Sequence, residues 1–393
     1  MISVSDGTAA REMVAVIRGP RTSPERVEAL IGGEAVWFSA DVALELPMDA
    51  IVAAFLFPVW TRGGTLVLDG AVSEPLRSNL PHVATLLREW WGARGPFPIE
   101  PASEKPPRSG GLAPTRRGTG LMFSGGVDSF YSLLRGTVAP DALVFVDGFD
   151  IPLADLARRD AAYAAVREVA DALDVRAIRV ATNIRGHALF RSVSWDLTHG
   201  GAMAAVGHTL RTHLSHLVVS SSDAYADDKG GYGSHFRLDP LWSSDRLAIL
   251  FEGATHRRSE KLLAIAGEPL VRRHLRVCWE HRAAALNCGH CEKCIRTQLT
   301  LLAHDQLQHF ATFRGTVADV TSAVRALAKV SNPFTLRVEY ESLALDRFPR
   351  ELADAIRALR RRSWAAHARR QLGRFSVRSI ARRLITFRGS ARS

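Results

Sequence analysis

The sequence predicts an α/β protein: a parallel sheet with helices on both faces, preceded by a small N-terminal α+β domain and followed by a helical region built around four cysteines. Three observations predict it. From residue 120, short apolar segments (GLMF, ALVFV, RAIRVA, HLVVSS, LAILFE) alternate with helical stretches such as DSFYSLLRG, DLARRDAAYAAVREVADALD and GGAMAAVGHTLRTHL. Such alternation specifies right-handed crossovers and a parallel sheet covered by helices. Residues 101–120 hold four prolines and four glycines, a composition that breaks helices and central strands. All four cysteines, Cys278, Cys288, Cys291 and Cys294, fall in one short stretch.

Taken in order, residues 1–95 carry the apolar runs AVWFSADVALEL and IVAAFLFPVW, then TRGGTLVLDG, whose Gly63-Gly64 suits a tight turn between two strands. A helix is expected next, with Leu76, Leu80, Val83, Leu86 and Leu87 at helical spacing ahead of Trp90 and Trp91. No catalytic motif stands in this domain, and substrate presentation or homodimer formation are the roles open to it. Residues 96–119 read as a linker, 120–275 as the sheet domain, 276–345 as the four-cysteine region and 346–393 as a basic amphipathic tail.

Composition narrows the class. A chain of 393 residues with 47% hydrophobic and 23% charged residues is neither disordered nor a rod. No apolar run approaches the roughly 20 residues that span a bilayer. The opening MISVSDGTAAREM has no cationic segment followed by an apolar stretch, so a cytoplasmic location is expected. The net charge of +11 lies in the tail: residues 351–393 hold 12 arginines against Glu351 and Asp354. Leu352, Ile356 and Leu359, then Val377, Ile380, Leu384 and Phe387, set an apolar stripe between those arginines. Such a helix either packs its stripe on the domain or lies on an anionic surface, membrane or nucleic acid.

The sharpest motif is Ser124-Gly125-Gly126-Val127-Asp128-Ser129, directly after the segment GLMF and directly before a helix. Two glycines let the backbone turn with its N–H groups inward, and the following helix adds its positive N-terminal end, so a pyrophosphate-sized anion fits. Ser124 and Ser129 can donate to it, and Asp128 is suited to hold Mg²⁺. Neither the Walker spacing nor the dinucleotide fingerprint is present. The string resembles the PP-loop of the ATP pyrophosphatase superfamily. That resemblance implies an adenine nucleotide alpha hydrolase-like fold, and transfer of AMP from ATP to a carboxylate or amide oxygen with release of pyrophosphate.

Four closely spaced cysteines are what a closed tetrahedral Zn²⁺ site needs, with an iron–sulfur cluster as the competing reading. The apolar Ile295, Leu299 and Leu302 predict a helix that anchors the site, and His281 and His290 flank it. Combined with the upstream loop, the cluster over residues 118–310 resembles the 7-cyano-7-deazaguanine synthase family. That likeness implies adenylation of a carboxylate on a small-molecule acceptor or modified base, followed by attack of ammonia or an amine. The loop's position at residue 124, the added N-terminal domain and the basic tail depart from that family and leave the acceptor open. Thiolation of a tRNA or metabolite, and a nucleotide-binding module without turnover, are the alternatives. With every cysteine placed in the cluster, sulfur transfer has no spare thiol.

Specificity is expected in SDAYADDKGGYGSHFRLDPLWSSDR, a long polar segment after the strand HLVVSS. Its candidates are Asp223, Lys229, His235, Arg237, Asp239 and Trp242. Lys229 would steady charge on the α-phosphate and His235 would handle a proton of the nucleophile. In ATHRRSEKLLAIAG, Arg257 and Arg258 face the phosphate loop, with Arg258 as a phosphate ligand, and Ser259 caps a helix containing Lys261. Asp147 and Asp150, after ALVFV, would contact ribose or adenine.

Overall fold

The computed structural model describes residues 12–16, 25–95, 99–101, 117–228, 230–282 and 284–389, without the side chains of 12–16, 100, 101 and 371–389. Two compact units divide the chain, Met1–Ile265 and Ala266–Ser393.

The first unit is built on one ten-stranded sheet. Five strands make its parallel half: β6 (Gly118–Met122), β7 (Ala142–Asp147), β8 (Arg176–Thr182), β9 (Leu214–Ser220) and β10 (Ala248–Glu252). They lie parallel in the order β8-β7-β6-β9-β10, at the five segments whose apolar runs predict them. β7 is buried at all six positions, as a strand covered on both faces must be. Alternation sorts the side chains. Met122, Val144, Ile178, Val180, Leu217 and Val219 point into one large core. Leu121, Phe123, Leu143 and Phe145 point the other way. There the Phe123 ring lies 5.0 Å from Phe130 of α3 (Val127–Arg135), and Phe145 lies 6.0 Å from Tyr163 of α4 (Leu156–Ala172). Helices flank the sheet on both faces.

The other half comes from the N-terminal residues: β1 (Glu12–Val16), β2 (Arg26–Ile31), β3 (Glu34–Ala40), β4 (Thr65–Leu68) and β5 (Ile99–Pro101), in the order β3-β2-β1-β4-β5. Two expectations change here. IVAAFLFPVW is not a strand: it lies in α1 (Met48–Trp60), whose every residue is buried. A helix apolar on all sides has no 3.6-residue signature, so its run reads like a buried strand. The predicted helix before Trp90 and Trp91 is α2 (Glu74–Trp91).

Residues 1–95 also do not form a separate domain. β3 pairs antiparallel with β8, Phe38 opposite Thr182 and Ala40 opposite Val180, so one sheet runs through both halves. α1 packs on α6 (Trp195–Thr209), which follows the one-turn α5 (Ala188–Arg191). The approach is close because α6 presents glycine: a Cβ at Gly201 would stand 2.2 Å from the Ala53 carbonyl oxygen. α7 (Arg258–Ile265) ends the unit.

The second unit is helical: α8 (Pro269–His274), α9 (Glu292–Leu302), α10 (Val317–Ala326), the one-turn α11 (Pro333–Thr335) and α12 (Arg350–Gly389). It begins at Ala266 rather than at the expected 276, and it includes the start of the tail. Leu352, Ile356 and Leu359 are fully buried, and Arg362 donates to the Val324, Leu327 and Ala328 carbonyls at the end of α10, at 2.6, 2.6 and 3.0 Å. That arginine caps a helix. Val377, Ile380, Leu384 and Phe387 lie among the residues whose side chains are not described. Among the described residues no helix is long and apolar enough to cross a membrane.

Candidate functional site

The parallel half reverses its strand order at β6. From β6 the chain runs through β7 to β8 on one side, then returns to β9 and β10 on the other. In open parallel sheets ligands bind at such a switch point, between the loops leaving the C-terminal ends of the two flanking strands, here β6 and β9. The hexapeptide Ser124–Ser129 sits there. Gly125 turns with φ +75°, in the left-handed region that favours glycine. Gly126 is the N-cap of α3, with no side chain capping it, so the first amides of the helix point outward beyond its end. Ser124, Gly126 and Asp128 are half-buried, whereas Val127 and Ser129 are buried. Ser129 Oγ donates to the Gly126 carbonyl at 3.1 Å, bracing the turn from within.

Two cations of α7 meet this turn. Arg258 pairs with Asp128 Oδ2, and one helical turn on, Lys261 Nζ stands 3.4 Å from Asp128 Oδ1 while donating to the Ser221 carbonyl at 2.5 Å. Lys261 has no exposed surface, and burial pushes its amine below the usual lysine range. Sequence reading placed Lys261 only as a member of the helix. Its i+3 spacing from Arg258 was the available signal, since that puts both on one face. Arg257 turns instead to Asp227, at 2.6 and 2.9 Å. A lone carboxylate with two cationic partners is not a Mg²⁺ cage, which takes oxygen ligands in octahedral array. The cluster suits an anion.

Asp147 does not fit the expected nucleotide contact. It is fully buried at the end of β7, where Arg159 Nη2 and Arg179 Nε hold one oxygen at 2.8 and 2.7 Å. The other oxygen, Oδ1, is sealed from solvent. The group braces α4 against β8, since Arg159 comes from the helix and Arg179 from the strand.

The long polar segment after β9 forms a small cleft of about 20 Å³, bounded by Ser221, Asp223, Asp228, Tyr232, His235 and Phe236 among others. His235 Nδ1 accepts from the Arg237 amide at 3.1 Å, which leaves the proton on Nε2, 2.8 Å from Asp228 Oδ1. Both ring nitrogens are thus engaged, and the ring is buried against Trp90 at 4.7 Å and stacked on Phe236 at 4.3 Å. His235, expected to carry a proton of the nucleophile, is thus held on both ring nitrogens from within its own segment. Arg237 reaches out to Glu89 of α2 at 3.1 and 3.2 Å. Asp239 is buried, accepts from Ser234 Oγ at 2.6 Å, and is pushed up to about 7 by burial. Trp242 is buried, with its carbonyl 2.8 Å from His208 Nε2. Lys229 lies outside the described residues.

In the second unit the four cysteines come together as expected. All four are buried, and their sulfurs lie within 4.8 Å of one another. The amides of His290 and Cys291 donate to Cys288 Sγ at 3.4 and 3.3 Å, and that of Cys294 to Cys291 Sγ at 3.4 Å. Cys291 is the N-cap of α9, whose Ile295 and Leu299 are fully buried, so the predicted anchor is present. Asn287, which sequence reading missed, joins the two ligand segments: its Oδ1 accepts from Val277 and Cys278 at 2.8 and 3.2 Å, and its Nδ2 donates to Leu275 at 2.8 Å. Four converging thiols with amide donors behind them can hold a metal such as zinc. No protein-family model, no curated protein and no solved structure matches the chain.

Proposed function

We propose that this chain is an ATP-dependent adenylating enzyme of the PP-loop kind, acting on a carboxylate or amide of a small molecule or modified base and resembling 7-cyano-7-deazaguanine synthase. The observation that carries the reading is the turn Ser124–Ser129 at the switch point, faced by Arg258 and the buried Lys261. In the reaction, an acceptor oxygen bonds the α-phosphorus as the α–β anhydride bond breaks and pyrophosphate leaves. Ammonia or an amine then attacks the activated carbon, AMP departs with the oxygen, and the nitrogen gives a proton to solvent.

Each group has a part in that scheme. The α3 amides and the two cations stabilise charge growing on the departing pyrophosphate, the electrostatic contribution that dominates such transfers. Asp128 holds Arg258 and Lys261 in register until phosphate oxygens replace it. Mg²⁺ enters only as the ion that accompanies the nucleotide. The cysteine cluster takes structural zinc, since four protein ligands leave no open position for chemistry. The test is pyrophosphate release from ATP across a panel of carboxylates, comparing the parent chain with Asp128→Ala. Release only in the parent supports the reading, and equal rates in both remove it.

A further inference from the structure

One histidine near the phosphate turn has no part in the scheme above. His256 lies in the connection between β10 and α7, at the same end of the parallel strands as Ser124–Ser129. Two residues on, Arg258 pairs with Asp128, which brings the connection against the first turns of α3. There the His256 ring is held: Nδ1 stands 2.9 Å from the hydroxyl of Tyr131 and 2.9 Å from that of Thr255. Tyr131 is buried and follows Asp128 by three residues, so the two share a face of α3. Lys261 Nζ lies over the same ring, 5.9 Å from its centre. The tyrosine thus meets the histidine through its hydroxyl and the ammonium through its ring.

An ordinary surface histidine keeps its rotamer freedom, and this one gives it up. With a hydroxyl donating to Nδ1, the neutral ring carries its proton on Nε2, and a protonated ring carries one there as well. His256 is exposed, and Nε2 has no hydrogen-bond partner among the described residues. Arg258 and Lys261 share their charge with Asp128, so a departing pyrophosphate calls for further donors. We propose that His256 is a further pyrophosphate ligand, donating from Nε2 to an oxygen of the leaving group, with Tyr131 as the residue that positions it. The assignment rests on reading Ser124–Ser129 as a pyrophosphate site. It moves the functional histidine from His235, whose two nitrogens are both engaged, to one whose second nitrogen is free.

The experiment is isothermal titration of the full chain with sodium pyrophosphate at pH 7, without nucleotide, each variant being checked for folding by circular dichroism. His256→Ala is expected to weaken binding about tenfold, as loss of one charge-assisted hydrogen bond does. His256→Gln, whose side-chain amide donates from nearly the same place, is expected to recover most of that loss. Tyr131→Phe keeps the ring beneath Lys261 and frees the histidine, for an expected weakening of about threefold. Added to His256→Ala it is expected to cost nothing more, because the tyrosine acts through the histidine. Arg258→Gln reports on the turn independently. If it weakens pyrophosphate while His256→Ala binds as the parent does, the assignment of His256 is overturned and the turn stands. A parent chain that binds no pyrophosphate overturns both. Binding that depends on His256, in a chain that releases no pyrophosphate from ATP, upholds the ligand and removes the adenylation reading.

Discussion

The ammonium of Lys261 lies 3.4 Å from the carboxylate of Asp128, in the first turn of α3, with no part of the lysine exposed to solvent. Taking a lysine out of water costs several kcal/mol, and a single carboxylate and one carbonyl offset that only in part. A fold seeking stability alone gains nothing from such a placement. A phosphate site gains a dry cation beside helix amides.

Lys261→Met separates those two accounts. Methionine nearly keeps the volume and removes the charge, so thermal stability is expected to stay within a few degrees or rise. Pyrophosphate release is expected to fall at least about 100-fold, the loss seen when one stabilising donor is removed from a transition state. Unchanged release with a large drop in melting temperature would make the lysine structural.

Asp239 predicts a pH dependence of stability. Its carboxyl is raised from 3.8 to about 7 by burial, so between those values the folded chain keeps a proton that the unfolded chain loses. Its contribution is full below about pH 4, declines as pH rises, and is gone above about pH 7. Asp239→Asn keeps the site neutral. Urea unfolding at pH 5 and pH 8 should show the variant gaining on the parent by on the order of 2 kcal/mol at the higher pH. A constant difference would mean that Asp239 is ionised throughout.

Asn287 ties Cys278 to the other three ligands, and Asn287→Ala breaks three buried hydrogen bonds. The expected loss is about 3 kcal/mol in the second unit, at roughly 1 kcal/mol each, measured by chemical unfolding. Bound metal, quantified by mass spectrometry, should be near one zinc per chain in the parent. It should leave faster on chelation in the variant, because Cys278 is no longer held in place. Cys288→Ser should lose metal outright. Retention of metal there would remove the four-thiol site.

Gly201→Ala tests whether the N-terminal residues share the core. A methyl at that position meets the Ala53 carbonyl at 2.2 Å, so α1 and α6 must separate. The expected cost is about 3 kcal/mol or more, as for overpacking in a tight core. A change under about 0.5 kcal/mol would mean that the two helices are not in close contact.

Much of the parallel half was legible because its signals are local. The strands GLMF through LAILFE, the glycine turn at Ser124 and the cysteine spacing depend on neighbours within a few residues. The helix α1 was not legible, because an apolar run buried on every side carries no period. The Asp147 reading failed for a different reason: placement at a strand end is local, but Arg159 and Arg179, which claim the carboxylate, come from α4 and β8. Asn287 has the same character, since nothing about an asparagine next to a cysteine says which carbonyl its amide will meet.

By itself the sequence determined which segments are strands in the β6–β10 half, where the glycine turn before α3 falls and which four sulfurs gather, because each rests on steric and periodic rules that act along the chain. The tertiary structure alone decided that β3 continues the sheet from β8, that Lys261 is sealed beside Asp128, and that the His235 ring packs against Trp90. Those outcomes depend on which distant surfaces meet, because a charge pair, a strand pairing or a ring contact of this kind exists only once a partner more than 100 residues away has come to rest against it.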